Sequence, residues 1–309
     1  EPKTDVKKIQ SANFDLNTPT TQIETGTFVT FYPDSKIFST TTFDFDDNIA
    51  FLTTTLVLFH KVTGDELLLS SSEWALHHAS IGKSGPYVEY EIRYDDETGS
   101  FRNFRDLDIA ETEKLSGKKQ LFAQDIQAAL KLPDLQWKGP SWNCFFHATA
   151  NQRPISVITA RGHSAKTIQE GVREFIHAGY LPSEPNYLSI YAVSNKEVRE
   201  HLRDPQFRVS IAELKQRAIR ASVERAIELY GLSPHHRFGM SDDDPKNIQL
   251  IVEEMTRLKS DYPQMSFFMI ETHGGDFVKH EITQHGLRSE HLTEEASQLD
   301  LFNPTRHKP

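Results

Sequence analysis

The chain has 309 residues, of which 37% are hydrophobic and 25% charged, with a formal net charge of −10 at pH 7. This balance is typical of a globular protein, and the excess of acids argues against a broad nucleic-acid or anionic-membrane surface. No apolar run approaches the roughly 20 residues that span a bilayer, and the single cysteine, Cys144, excludes an internal disulfide framework.

The first 54 residues predict a lead-in and two strands. Residues 1–35 begin as a polar stretch and end in the strand "GTFVTFY", after which a Pro-Asp turn leads into "IFSTTTFDFDD". This second strand carries aspartates at its carboxyl end. The chain starts at Glu1 and not at a methionine, so a cytoplasmic location and export after signal cleavage both stay open.

Residues 55–148 predict a mixed α+β insertion. "TLVLFHK", the turn "VTGDE" and "LLLS" are typical of a β-hairpin, and "SSSEWALHHA" opens with a capping box before a short helix. A helix is predicted over "KKQLFAQDIQAALKL", which Pro133 ends. Because the hydrophobic residues of this segment show no clear periodicity, we expect the segment to interrupt a larger domain.

From residue 149 to residue 285, strands alternate with helices. The strands are "ISVIT", "NYLSIYAVS", "HRFGMSDDD" and "MSFFMIET", and Gly231 ends the long helix that begins near residue 210. This alternation predicts an α/β fold with a Rossmann-like parallel sheet and helices on both faces, built from residues 36–54 and 149–285. Residues 286–309 predict a polar C-terminal tail.

Two acidic clusters, "DFDD" and "SDDD", end strands of this predicted sheet. Parallel strands place their carboxyl ends at one edge, where ligands bind, so we expect the clusters to meet there. A hard divalent cation such as Mg²⁺ would remove their mutual repulsion. Thr159, which ends "ISVIT", adds a hydroxyl, and Lys215 in the long helix adds a positive charge. Together these groups predict a phosphate site.

The same residues resemble the four motifs of the haloacid dehalogenase superfamily of phosphohydrolases. "FDFDDN" matches the first motif, "ISVIT" with its continuation "TARG" the second, a lysine near a helix start the third, and "FGMSDDD" the fourth. The matching positions are Asp44 and Asp46, Thr159, Lys215, and Asp242 and Asp243. The resemblance covers residues 36–54 and 152–275.

The resemblance implies an enzyme that hydrolyses phosphomonoesters through an aspartyl-phosphate. In that scheme Asp44 is the nucleophile and Asp46 the general acid and base. Thr159 and Lys215 stabilise charge on the transferring phosphoryl group. Magnesium is the implied cofactor, and its implied ligands are Asp44, Asp46, Asp242 and Asp243.

Several alternatives stay open. Asn48 stands where the family has Thr or Val, Asp244 competes with its neighbours in the fourth motif, and Lys196 competes with Lys215. A phospholigand-binding protein with a degenerate site is the alternative function outside catalysis. A phosphotransferase, in which an alcohol replaces water, is the alternative within it.

The size and place of the insertion bear on the substrate. In this superfamily a segment after the first motif forms a cap over the active site, and a cap of this size restricts entry to small molecules. A small phosphorylated metabolite or nucleotide is therefore the expected substrate.

The tail contains "QLDLF", Gln298 to Phe302. This pentapeptide resembles the motif with which bacterial proteins dock on the DNA-polymerase sliding clamp. The competing interpretation is a hydrophobic latch, in which Leu299, Leu301 and Phe302 fold back onto the domain.

Overall fold

The structure is a computed structural model that describes residues 39–242, 245–273 and 276–292. The N-terminal lead-in, the predicted strand "GTFVTFY" and the pentapeptide Gln298 to Phe302 lie outside these residues. The strands are, in chain order, β1 (Ser39–Asp44), β2 (Leu56–His60), β3 (Glu66–Leu69), β4 (Tyr90–Glu91), β5 (Pro154–Thr159), β6 (Asn186–Ala192), β7 (Arg237–Asp242), β8 (Ser266–His273), β9 (Asp276–Thr283) and β10 (Gly286–Leu292).

Helices lie between the parallel strands of the sheet and within the inserted segment. The α-helices are, in chain order, α1 (Ser71–His77), α2 (Glu111–Leu115), α3 (Leu121–Ala129), α4 (Asp134–Trp137), α5 (Trp142–Ala150), α6 (Ala165–His177), α7 (Lys196–His201), α8 (Ile211–Tyr230) and α9 (Pro245–Asp261). Gly231, the predicted stop signal, follows α8 with a φ of 79°. Among the helices so described, none is both long and apolar enough to cross a bilayer.

The described strands build a seven-stranded main sheet in the order β10-β9-β8-β7-β1-β5-β6. From β8 to β6, neighbouring strands are parallel, whereas β9 and β10 are antiparallel. The predicted α/β class is confirmed in this form: a mostly parallel, helix-flanked sheet, consistent with a Rossmann-like fold.

The edge formed by β9 and β10 differs from the prediction. The sequence pattern indicated "MSFFMIET" as the last strand and a tail from residue 286, but residues 286–292 form β10, which pairs with β9. Residues 286–289 of β10 are exposed, and the strand shows no strong apolar alternation. Pairing with β9, and through it with β8, supplies the hydrogen-bond partners that define these strands.

Each face of the main sheet buries its own apolar core. Because successive side chains of a strand point to opposite faces, Ile155 and Val157 pack in one core and Ile158 in the other. Helices α3, α5 and α6 cover the first face, while α8 and α9 cover the second. This confirms the predicted cover of helices on both faces.

The segment predicted as one insertion, residues 55–148, contains two parts that pack differently. In the first part, β2 pairs antiparallel with β3 and β4, and this small sheet has a core of its own around Leu58 and Leu69. The capping box at the start of α1 is confirmed, since Glu73 N donates to Ser70 Oγ and Ser70 N donates to the Glu73 carboxylate.

The second part of the segment belongs to the main core. Phe122 and Ile126 of α3 and Trp137 of α4 are fully buried in the cluster that also contains residues of β1 and β5. Gly171 of α6 permits this packing, because a Cβ there would lie 2.3 Å from the Phe122 ring. The helices of this part therefore cannot leave the sheet without opening its core.

Replacing Ile126 with alanine tests this packing. The variant removes a fully buried side chain, so we expect the free energy of unfolding to fall by about 2–5 kcal/mol. Urea unfolding followed by tryptophan fluorescence measures the change. The matched control is Leu135→Ala in α4, whose side chain is 95% exposed and whose loss should cost less than about 0.5 kcal/mol. Equal effects of the two variants would show that α3 is not part of the core.

Candidate functional site

The site lies where three neighbouring parallel strands end. β1 pairs with β5 on one side and with β7 on the other, and the three strands end at Asp44, Thr159 and Asp242. Strand order also reverses direction around β1, which makes this edge the expected ligand position of an open α/β sheet. The sheet thus brings together residues of the first, second and fourth sequence motifs.

Lys215 joins this group from the second turn of α8. Its Nζ lies 2.8 Å from Asp44 Oδ2, and both side chains are only about a tenth exposed, 12% and 11%. The backbone N–H of Phe45 donates to the other oxygen, Asp44 Oδ1, at 3.0 Å. The competing lysine, Lys196, is exposed at the start of α7, so the contact with Asp44 belongs to Lys215.

Burial and charge act on Asp44 in opposite directions. The net pKa of Asp44 is raised to about 7, because burial and the nearby carboxylate of Asp242 raise it more than Lys215 lowers it. For Lys215, burial lowers the pKa, but the carboxylates of Asp44 and Asp242 outweigh it and the net shift is upward. Two buried carboxylates around one ammonium leave local negative charge, which an additional cation would neutralise.

Asp46 is held from two sides. Thr159 Oγ1 donates to Asp46 Oδ2 at 2.9 Å, and Arg161 donates through Nε and Nη2 at distances between 2.7 and 3.0 Å. Burial alone would raise the pKa of Asp46, but the charge and hydrogen bonds of Arg161 and the Thr159 hydroxyl hold it below its ordinary value. Asp46 is therefore ionised in this arrangement.

Two residues of the site were not predicted. Arg161 follows β5 in the stretch "TARG". The sequence feature that could have identified it is an arginine two positions after the threonine of the second motif. Asn247, in the first turn of α9, donates its side-chain amide to Asp242 Oδ1 at 3.3 Å. Its signal was an amide directly after "DDDPK", at the start of a helix. Asp243 and Asp244 lie outside the described residues.

Asn48, the departure from the family pattern, joins the loop after β1 to three other segments. It is fully buried, and its Nδ2 donates to the Ser241 carbonyl oxygen at 3.0 Å. Its Oδ1 accepts from Ser141 Oγ at 2.7 Å and from Thr272 Oγ1 at 3.3 Å. A threonine has no amide that donates and accepts in this way. The geometry of this loop therefore depends on the hydrogen bonds of the Asn48 amide.

The donor chemistry of the site fits magnesium. Asp44, Asp46 and Asp242 offer hard carboxylate oxygens, and the excess negative charge favours a divalent cation. Within the described part of the chain no group of three or more His, Cys, Asp or Glu forms a ready-made metal cluster. Asp243, the fourth implied ligand, is not among those residues.

His163 lies buried beside this site. It is fully buried, its ring centroid is 5.6 Å from that of Phe122, and burial lowers its pKa to about 3, with the charge of Arg161 acting in the same direction. His163 is therefore neutral in the folded protein over the usual pH range.

Replacing Asn48 with alanine tests the role of the amide. The change leaves the Ser141 and Thr272 hydroxyls and the Ser241 carbonyl without this partner in a buried environment. Each loss costs about 1–3 kcal/mol, so we expect chemical unfolding to report a destabilisation of about 3 kcal/mol or more. Asn103→Ala, which removes one hydrogen bond to the Thr55 carbonyl, is the control and should cost about 1 kcal/mol. A loss at Asn48 no larger than at Asn103 would contradict this role.

Stability should depend on pH through His163. The unfolded chain binds a proton there at the ordinary value of 6.5 and the folded chain only near 3. The stabilising contribution is therefore complete above pH 6.5 and is lost as the pH falls, by up to about 1.4 kcal/mol per pH unit. Unfolding of the native chain and of His163→Leu between pH 7 and pH 4 measures the difference. The exposed His285→Leu is the control, and parallel pH profiles for all three proteins would refute the prediction.

Comparison with known proteins gives no relative. No family model, no curated protein and no solved structure matches the chain. The haloacid dehalogenase resemblance thus stays a prediction carried by the four motifs, and any function has to come from the residues of this chain.

Proposed function

We propose that this chain is a magnesium-dependent phosphomonoester hydrolase of the haloacid dehalogenase type. The observation that carries the proposal is the contact of 2.8 Å between Lys215 Nζ and Asp44 Oδ2. These residues come from separate motifs, 171 positions apart, and the resemblance assigns both to one site. The contact of 2.9 Å between Thr159 and Asp46 adds the second motif to the same edge. Such a convergence supports phosphoryl transfer.

Asp44 is the nucleophile of the first step. One of its carboxylate oxygens attacks phosphorus, the ester P–O bond breaks, and the leaving oxygen departs with a proton. Lys215 favours the ionised form of Asp44 and stabilises negative charge on the phosphoryl oxygens. The Thr159 hydroxyl, which lies at the same edge, is the second group assigned to those oxygens.

Asp46 transfers the protons. Arg161 holds it ionised at rest, so a proton has to reach its carboxyl before it can protonate the leaving oxygen. In the second step the ionised carboxylate accepts a proton from water while the water oxygen attacks phosphorus. The bond between phosphorus and Asp44 then breaks, which releases phosphate and restores the carboxylate.

Magnesium, when bound, would supply positive charge that neutralises the phosphoryl oxygens and the buried carboxylates. Asp44, Asp46 and Asp242 are the described residues that would hold it, and Asp243 is assigned to the same set by the resemblance. The negative charge that remains around Lys215 supports this assignment.

A small phosphorylated metabolite or nucleotide is the proposed substrate. The part of the insertion that has its own sheet follows the first motif directly, which is where the superfamily has a cap. Phe104, from the end of that part, packs against Arg161 with 4.9 Å between the guanidinium carbon and the ring centroid. This contact next to Asp46 supports a cap that limits the size of the substrate.

Replacing Asp44 with asparagine tests the proposal. With p-nitrophenyl phosphate and Mg²⁺, we expect turnover to fall by at least about a thousandfold because the nucleophile is gone. Chelation of the metal should abolish the activity of the native chain, and added Mg²⁺ should restore it. The control is Asp65→Asn, an exposed aspartate in the turn between β2 and β3, which should keep full activity.

The same assays separate the alternatives. Undiminished turnover by Asp44→Asn would overturn the proposed nucleophile. A phospholigand-binding protein would bind phosphate compounds and turn over none of a broad panel. A phosphotransferase would form a phosphorylated alcohol when an acceptor alcohol is added, and a hydrolase would release only phosphate.

A further inference from the structure

Arg161 connects the proposed site to the inserted segment. Its side chain is 1% exposed, and the pair that it forms with Asp46 uses two of its nitrogens, Nε and Nη2. The third nitrogen, Nη1, is buried without a hydrogen-bond partner among the described residues. The orientation of the guanidinium therefore depends on the contacts that Nε and Nη2 make.

Two aromatic rings of the inserted segment pack against this guanidinium. Its central carbon lies 4.9 Å from the centroid of Phe104 and 4.8 Å from that of Phe122. A planar guanidinium favours such stacking, and burial strengthens the attraction between the cation and the rings. These rings limit the space around the guanidinium but offer it no hydrogen-bond acceptor, so they do not fix its rotation.

Rotation within the plane is restricted by a hydroxyl. Arg161 Nη2 donates to Thr54 Oγ1 at 2.8 Å, and Thr54 Oγ1 in turn donates to Asp125 Oδ2 in α3. Because the Thr54 hydroxyl donates its hydrogen bond to Asp125, an oxygen lone pair of Thr54 accepts from Arg161. The result is a hydrogen-bonded series that runs from Asp46 through Arg161 and Thr54 to Asp125.

We propose that Thr54 and Asp125 are positioning residues, which fix Arg161 and through it hold the Asp46 carboxylate where proton transfer with substrate or water occurs. The inference rests on the proposed function and adds to it. The inserted segment then does more than select substrates by size. Its residues Phe104, Phe122 and Asp125 help to position Arg161, which holds the Asp46 carboxylate. The site is incomplete without this segment.

The proposal predicts that hydrolysis of the aspartyl-phosphate is the step that slows. Without the Thr54 hydroxyl the guanidinium can rotate, and a displacement of about 1 Å at a reacting group costs on the order of a hundredfold in rate. p-Nitrophenolate leaves with little help from an acid, so formation of the aspartyl-phosphate should change little. Attack by water requires Asp46 as base, so the aspartyl-phosphate should accumulate.

The test uses two matched pairs in the full chain, assayed with p-nitrophenyl phosphate and Mg²⁺. Thr54→Val keeps the shape and removes the hydroxyl, whereas Thr54→Ser keeps the hydroxyl. Asp125→Leu removes the acceptor, whereas Asp125→Asn keeps one. Thr112→Val, at an exposed position of α2, is the control and should behave as the native chain.

We expect kcat to fall about 10- to 100-fold in Thr54→Val and Asp125→Leu, with KM falling in parallel, so that kcat/KM, which reports formation of the aspartyl-phosphate, stays within about twofold. Both variants should show a burst of nitrophenolate and acid-stable phosphate bound to the protein, and Thr54→Ser and Asp125→Asn should recover most of the lost kcat. A native kcat in Thr54→Val would overturn the inference. So would equal losses in both members of a pair, or a loss without accumulated phosphoenzyme, which is the sign of a merely structural defect.

Failure of the inference and failure of the proposed function are distinguishable. If Asp44→Asn is inactive while Thr54→Val resembles the native chain, the hydrolase function is supported and the positioning role is refuted. If the native chain forms no phosphoenzyme and Asp44→Asn changes nothing, the proposed function falls, and the positioning role falls with it.

Discussion

The structure depends on the pairing of two carboxylates at the end of strand β1 with two separate cations. Removing Asp44 and Asp46 from water is unfavourable unless each has a partner of opposite charge and good geometry. Lys215, from a helix on one face of the sheet, pairs with Asp44, and Arg161, from the loop after β5, pairs with Asp46. The carboxyl edge of the sheet is thereby tied to elements that are far apart in the sequence.

The same requirement explains why the inserted segment is not independent of the sheet. Arg161 is buried between Phe104 and Phe122, so its charge is shielded from water by residues of the segment. The end of the segment returns beside the loop after β1, where Ser141 N donates to the Asn48 carbonyl oxygen and a Cβ on Gly139 would lie 2.3 Å from that oxygen. Opening one of these contacts would disturb the surroundings of both carboxylates.

The alternation of strands and helices was sufficient to predict the α/β class, the helix cover and the relative place of Asp44, Thr159 and Asp242, because strand ends of a parallel sheet converge by geometry. The β9–β10 edge was missed because neither strand has a strong apolar alternation of its own. The packing of Trp137, which stacks on Phe175 at 5.3 Å between ring centroids, was missed for a related reason. Periodicity reports that a helix has an apolar face and does not identify the surface that this face covers.

The sequence by itself determined the composition of the site: carboxylates at two strand ends, a hydroxyl at a third and a lysine in the helix α8. These depend on local pattern and chain order, which a sequence displays directly. Only the tertiary structure decided which cation meets which carboxylate. It selected Lys215 over Lys196, paired Arg161 with Asp46 and connected both to Thr54 and Asp125. Contacts between residues about a hundred positions apart arise from how helices and loops pack on the sheet, and the local pattern contains no record of that packing.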